Sequence, residues 1–231
     1  MTLWFPVGAV AAGAAVAAHG MFERNSPVFG GVLRHLTAPD AVALTFDDGP
    51  HPEITPRVLD ALNEAGVHAT FFVLGRYAVR WPRLVARAHA EGHEIANHGF
   101  AHRKLHLRSP AFVRADIRAG TEAVADALGS RAPMRWFRAP HGFRSPWVAP
   151  IAREFGQRIV GWTLGVHDSA DPGAEEIARR VARGVRGGGI VLLHDADGNH
   201  PDRDRRQTAE SLPAILRAIR AHGLGFAPLD A

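Results

Sequence analysis

From about residue 40 to the C-terminus, short β-rich runs alternate with amphipathic stretches, and that alternation limits what this chain can fold into. The apolar runs are AVALTF (41–46), HATFFVL (68–74), HEIAN (93–97), MRWFRAP (134–140), RIVGWTLGV (158–166), GIVLLHD (189–195) and LGFAPL (224–229). Between them lie helical patterns such as TPRVLDALNEAG, PRLVARAHAEG, PAFVRADIRAGTEAVADALG, AEEIARRVARG and AESLPAILRAIRAHG. Several close on a glycine suited to a C-terminal cap (Gly66, Gly92, Gly129, Gly223). Strand, helix, strand alternation predicts parallel βα units. Seven strands are one short of a full eight-stranded barrel and would also suit an open doubly wound sheet. No strand is followed by G-x-G-x-x-G or G-x-x-x-x-G-K-[ST], so nucleotide binding has no motif behind it. At 231 residues and 46% hydrophobic composition, one α/β domain is expected.

Composition narrows the chemistry. There are no cysteines, which removes disulfides, thiolate metal sites and a cysteine nucleophile; a metal would have to be held by carboxylates and by some of the 14 histidines. Lys+Arg exceeds Asp+Glu by 27 to 23, a modest excess spread along the chain, and Lys104 is the only lysine. That balance does not point to nucleic acid, and it suits approach to an anionic surface such as a cell wall or lipid headgroups. Residues 1–20 stand apart: LWFPVGAVAAGAAVAA (3–18) carries no charge, and Ala15-Val16-Ala17 resembles a cleavage site. No Lys or Arg precedes this stretch, alanine inserts weakly, and 16 residues is short for a spanning helix. Two readings stay open, an export signal or membrane anchor and an Ala-rich appended helix. Residues 21–39 then connect this segment to a domain over 40–231.

In parallel α/β folds the chemistry sits at the carboxyl ends of the strands. Here five of the seven runs end in polar groups: Asp47-Asp48, Asn97-His98, Arg138, His167-Asp168 and His194-Asp195. Folding alone gives no reason for this. The first end, LTFDDGP (44–50), puts two carboxylates side by side before a turn, and their repulsion becomes useful if a cation relieves it. In HGFAH, His98 and His102 are spaced to share one face of a helical turn and one metal ion. Two imidazoles and one carboxylate leave a position open, the pattern of a catalytic site. If Asp48 binds the metal, Asp47 stays free to accept a proton from the activated water. Arg138 would pair with Asp47 and keep it ionised. His194 would serve as general acid, with Asp168 on its other ring nitrogen, and the backbone N–H of His141 could face an oxyanion. Each fragment has a plainer reading on its own: an Asp-rich turn, surface histidines, a structural salt bridge, a core histidine.

These pieces in this order resemble the polysaccharide deacetylases of carbohydrate esterase family 4, the NodB homology domain. TFDDGP (45–50), HGFAH (98–102), RAPHG (138–142), WTLGVHD (162–168) and IVLLH (190–194) match its five motifs, over about residues 40–230. The resemblance implies a distorted (β/α) barrel and a divalent metal, usually zinc, with cobalt or manganese as alternatives. It implies Asp47 as base, Asp48, His98 and His102 as metal ligands, His194 as acid, and Arg138 and Asp168 as their tethers. It also implies Trp162 and Leu192 as walls for an acetyl methyl, and His141 as the oxyanion donor. Four positions depart from the family pattern: Gly99 where Ser or Thr is usual, His141 for Tyr or Phe, and Gly165 and Ser169 for Asp and Trp. The loss of the hydroxyl at 99 would loosen the metal loop, and the other changes put the usual chitin or peptidoglycan substrate in question.

The resulting expectation is a hydrolase that removes an N-acetyl group from an amino sugar in a glycan, acting as a monomer in the cell envelope or outside the cell, with a cytoplasmic location left open. Residues 1–20 would give it membrane association. The competing readings are a deformylase or deacetylase of a lipid-linked amino sugar, hydrolysis of an amide in a small nitrogenous metabolite, and a silent glycan-binding module.

Overall fold

The structure is a computed structural model that describes residues 4–130 and 134–231. The first three residues of the apolar N-terminal segment lie outside the described residues. Nine strands appear among those described. They are β1 (Val32–Leu33), β2 (Ala41–Asp47), β3 (Thr70–Val73), β4 (Glu94–Asn97), β5 (Trp136–Phe137), β6 (Arg158–Val160), β7 (Leu164–Gly165), β8 (Ile190–His194) and β9 (Gly225–Phe226). Every pairing is parallel, in the order β1-β6-β5-β4-β3-β2-β8-β7, with β9 added to β2. The run 158–166 is therefore not one strand: it bends at residues 161–163, so that β6 pairs with β5 and β1 while β7 pairs with β8. Those two halves of one segment bring opposite ends of the strand path together, and the sheet curls into a distorted barrel. The short β1, inside the segment that reads as a connector, is the ninth strand that the hydrophobic pattern does not reveal.

Eight α-helices appear among the described residues: α1 (Trp4–Phe22), α2 (Ile54–Glu64), α3 (Gly75–Arg80), α4 (Pro82–Ala90), α5 (Pro110–Leu128), α6 (Val148–Glu154), α7 (Ala174–Gly184) and α8 (Arg206–Ala221). The caps follow the sequence signals. Ser109 accepts the Phe112 N–H at the start of α5, and Gly129 closes that helix with φ 61°. Helices α3 and α6, of six and seven residues, are too short to show a period in the sequence.

Period-two alternation along a strand explains where the core ends and the site begins. On β2, Val42, Leu44 and Phe46 face outward into the main core with Val58, Leu62, Leu212 and Ile215 of the helices. The intervening Ala43 packs in the interior cluster with Phe72, Trp136 and Ile190. Asp47 shares the parity of Ala43, and on β8 His194 shares that of Ile190. Both polar residues thus stand at the rim of the interior face, beside one another in register. Burial of each large outward side chain contributes about 1.5–3 kcal/mol, enough to hold two polar strand ends in place.

Candidate active site

Asp47 and Asp48 divide at once. Asp47 completes β2, and its Oδ1 accepts a 2.7 Å hydrogen bond from Arg138 Nη1. Arg138 is fully buried; the same Nη1 donates to Thr45 Oγ1 at 2.8 Å, Nη2 donates to the Gly161 carbonyl at 2.8 Å, and the guanidinium lies 4.0 Å from the Phe72 ring centroid. The arginine fixes one carboxylate oxygen and spans the bend between β6 and β7. Asp48 turns away with φ 75°, a left-handed backbone that only a few non-glycine residues adopt. Its Oδ2 accepts the Gly198 N–H at 3.0 Å. Its Oδ1 lies 3.1 Å from His102 Nε2 and 3.4 Å from His98 Nε2 and has no other hydrogen-bond partner.

His98 and His102 do meet, but not on a helical turn. Residues 98–102 form a loop in which Gly99 (φ 78°) and His102 (φ 55°) both take left-handed conformations. Asn97 pins this loop: its Oδ1 accepts the Gly99 N–H at 2.8 Å, while its amide nitrogen donates to Ile117, Thr121 and Gln157. Asp116, on α5, accepts the Phe100 N–H at 3.3 Å. A Cβ at Gly99 would overlap Asp116 Oδ2, so this carboxylate fills the place a family hydroxyl would need. The space beside Gly99 is thus taken by Asp116. His98 Nδ1 donates to the Arg138 carbonyl at 2.8 Å, which leaves its Nε2 lone pair aimed at the centre. Burial raises the Asp48 carboxyl, but the two imidazoles outweigh it and hold this group well below its ordinary value.

Asp48, His98 and His102 are all buried, with one ligand atom from each within 4.8 Å of the others. A buried carboxylate oxygen facing two imidazole Nε2 atoms is a donor set for a divalent cation. The residues fit the metal that the sequence implies.

On the strand beside Asp47, His194 ends β8. Its Nδ1 lies 2.8 Å from Asp168 Oδ1, and its backbone N–H donates to Asp168 Oδ2 at 2.7 Å. Burial alone would lower the imidazole pKa; the Asp168 carboxylate overrides that and pushes it up to about 10. Asp168 sits on a short 3-10 turn after β7 and is fully buried.

Nine of the ten residues singled out from the sequence line one cavity of about 410 Å³, and Arg138 lies beneath its floor. His141 packs beside His102 with its ring tilted by 42° and centroids 4.4 Å apart. Trp162 and Leu192 form walls. A Cβ at Gly165 would come within 3.0 Å of Trp162 Nε1, so here the indole takes the room that a family aspartate would use.

The structure adds residues that the sequence did not single out. Thr208 Oγ1 donates to Asp168 Oδ2 at 3.0 Å, and Gln207 Nε2 to the Asp168 carbonyl at 2.9 Å, both from the first turn of α8. Arg205 ties Asp197 Oδ2 (2.6 Å) to the Ser169 carbonyl (2.7 Å), joining the loops that follow β8 and β7. Gly198 packs so closely on His102 that any side chain there would overlap the imidazole.

The polysaccharide deacetylase family profile matches residues 35–160 of this chain. The chain belongs to the polysaccharide deacetylase family. It is 38% identical to a chitooligosaccharide deacetylase of a Bradyrhizobium species, over 82% of this chain and 89% of that protein. A solved peptidoglycan N-acetylglucosamine deacetylase, in complex with an N-oxidanyl-benzamide, superposes with TM-score 0.75 at 30% identity, covering 85% of this chain and 90% of the other. A mutant of a family pseudoenzyme with restored enzymatic activity gives TM-score 0.73 at 27% identity, over 81% of this chain; the chain spans 65% of that protein's length. For this deacetylase-family chain the comparisons agree with the barrel.

Proposed function

We propose that this protein is a metal-dependent deacetylase that removes the N-acetyl group from an amino sugar in a polysaccharide or oligosaccharide, of the chitin or peptidoglycan kind, at the cell envelope or outside the cell. The observation that carries the reading is that Asp47 and His194, neighbours at the ends of β2 and β8, line one cavity together with the Asp48-His98-His102 cluster. A bound divalent cation, for which we favour zinc, would supply Lewis acidity to the attacking water and to the amide oxygen. Asp47, held in one orientation by Arg138, accepts the proton of the water as it attacks the amide carbonyl. His194, kept protonated by Asp168, gives its proton to the departing amine. The N–H of His141 stabilises the developing oxyanion, and Trp162 and Leu192 enclose the acetyl methyl. The presence of base, acid and all three ligand residues weighs against a silent glycan-binding module.

The test is release of acetate from N-acetylglucosamine oligomers by the purified chain, with Asp47→Asn and His194→Ala beside it. Release by the wild type and loss in both variants supports the assignment. Full activity in either variant removes its residue from the mechanism.

A further inference from the structure

Away from the catalytic cavity, a cleft of about 430 Å³ opens between β1, α6 and β6. Its rim carries Arg34 and His35 from the end of β1, Arg153 from α6 and Arg158 from the start of β6, and no carboxylate lines it. Elsewhere on this surface several arginines are gripped by acids, Arg87 by Asp60 and Glu91, Arg114 by Glu154, and Arg180 by Glu176, while others among the described residues stand singly without an ion pair. Among the described residues Arg34, Arg153 and Arg158 take part in no ion pair, although Arg158 stacks over Trp136 at 5.1 Å. Three exposed guanidiniums around a concave surface, without counter-charges of their own, make a site for a multiply bonded oxyanion such as a phosphate group.

A second observation decides what carries that phosphate. Helix α1 ends beside the cleft: Phe29 packs its ring on Gly20, and the next residue, Gly30, lies against Ala149 and Arg153. Residues 10–16 of this helix are exposed and are all Ala, Val or Gly, with Val10 and Val16 at 73% and 54% exposure. Soluble helices bury an apolar stripe and leave a polar face outward; a charge-free helix exposed around its circumference lacks a cover. No helix among the described residues is long and apolar enough to cross a membrane. An alanine-rich helix also partitions weakly into lipid by itself. An apolar segment beside a polybasic patch is the pair of weak signals that together hold a protein at an anionic membrane surface. Nucleic acid would satisfy the arginines and leave the helix uncovered.

We propose that the Arg34-Arg153-Arg158 cleft binds the phosphate of an anionic lipid headgroup while α1 lies in the adjoining apolar layer, so that the protein works docked on a membrane surface. The inference concerns binding alone and stands or falls separately from the deacetylase reading.

The experiment is co-sedimentation of the full chain with vesicles of phosphatidylcholine, and with vesicles of phosphatidylcholine containing phosphatidylglycerol. The variants are Arg34→Gln/Arg153→Gln/Arg158→Gln, the double variant that spares the Trp136-stacked Arg158, and Val16→Glu. Each basic residue near an anionic surface strengthens binding roughly fivefold, so the triple variant should lose about a hundredfold and the double about twenty-five-fold. Wild-type binding should require phosphatidylglycerol and weaken with salt, Val16→Glu should also reduce it, and acetate release from soluble oligomers should be unchanged in all variants. Equal binding to both vesicle types, or undiminished binding by the arginine variants, overturns the proposal. Tight binding of inorganic phosphate or duplex DNA that depends on these arginines, with no vesicle binding, also overturns it and assigns the cleft to a soluble anion.

Discussion

Asp168 holds His194 by two contacts, Oδ1 to the imidazole Nδ1 at 2.8 Å and Oδ2 to the backbone N–H at 2.7 Å. One carboxylate therefore sets both the direction of the ring and its charge. Because Thr208 Oγ1 also donates to Oδ2, the carboxylate cannot rotate without disturbing three hydrogen bonds.

The charge on His194 gives the first prediction. Its folded pKa is raised to about 10 against an ordinary value of 6.5, so the group adds stability that is full below pH 6.5 and is lost as pH rises through about 10. In Asp168→Asn that contribution disappears. Thermal midpoints of wild type and variant should therefore differ most at about pH 6.5 and just below it, and approach each other toward pH 10. Acetate release by the variant should fall more steeply between pH 6 and pH 8 than in the wild type. Parallel pH profiles would show that Asp168 does not set the protonation of His194.

Removing the base should leave the metal. Asp47→Asn is nearly isosteric and lies outside the cluster of three ligand residues, so bound metal should stay close to wild type while kcat falls by about 10²–10⁴. His98→Ala should instead lose metal along with activity. Elemental analysis of both variants checks the contrast, and loss of metal in Asp47→Asn would return that residue to the coordination sphere.

Much of this site is legible in the sequence because it lies at strand ends. An apolar run that stops at Asp47, His98 or His194 announces a rim, and parallel topology brings such rims together. The geometry of the histidine pair is not legible: spacing of four suggests a helix, while Gly99 and His102 form a loop whose shape depends on Asn97 and Asp116. Strand β1 is equally hidden, since two residues carry no period and only its pairing with β6 defines it. Gly198 and Thr208 escape for another reason. They act on Asp48 and Asp168 from 150 and 40 residues away in the chain, a distance no local pattern bridges.

Gly198 yields a prediction that the sequence could not supply. Its N–H holds Asp48 Oδ2 at 3.0 Å, and a methyl group at this position would overlap the His102 ring. Gly198→Ala should weaken metal binding about 10–100-fold, the range seen when groups supporting a ligand are disturbed. Gly13→Ala, where a Cβ meets nothing within 4 Å, should leave it unchanged. A chelator competition titration reads both, and equal affinities would show that the loop after β8 yields without moving His102.

Arg138 carries structure as well as chemistry. It is fully buried against Asp47, Thr45 and the Gly161 carbonyl, so truncation strands a buried carboxylate. Arg138→Met should destabilise the fold by about 3–5 kcal/mol. Arg138→Lys restores a charge but not the fork, and should recover stability only in part. Denaturant unfolding of the three proteins gives the comparison; a Met variant as stable as wild type would deny the pair its structural role.

The most direct test of the central claim is acetate release from N-acetylglucosamine oligomers by metal-loaded protein, before and after treatment with a chelator and again after zinc is restored. The account predicts release that the chelator abolishes and zinc recovers, with one equivalent of metal per chain at the Asp48-His98-His102 cluster. Acetate release that continues undiminished in fully metal-free protein would contradict it.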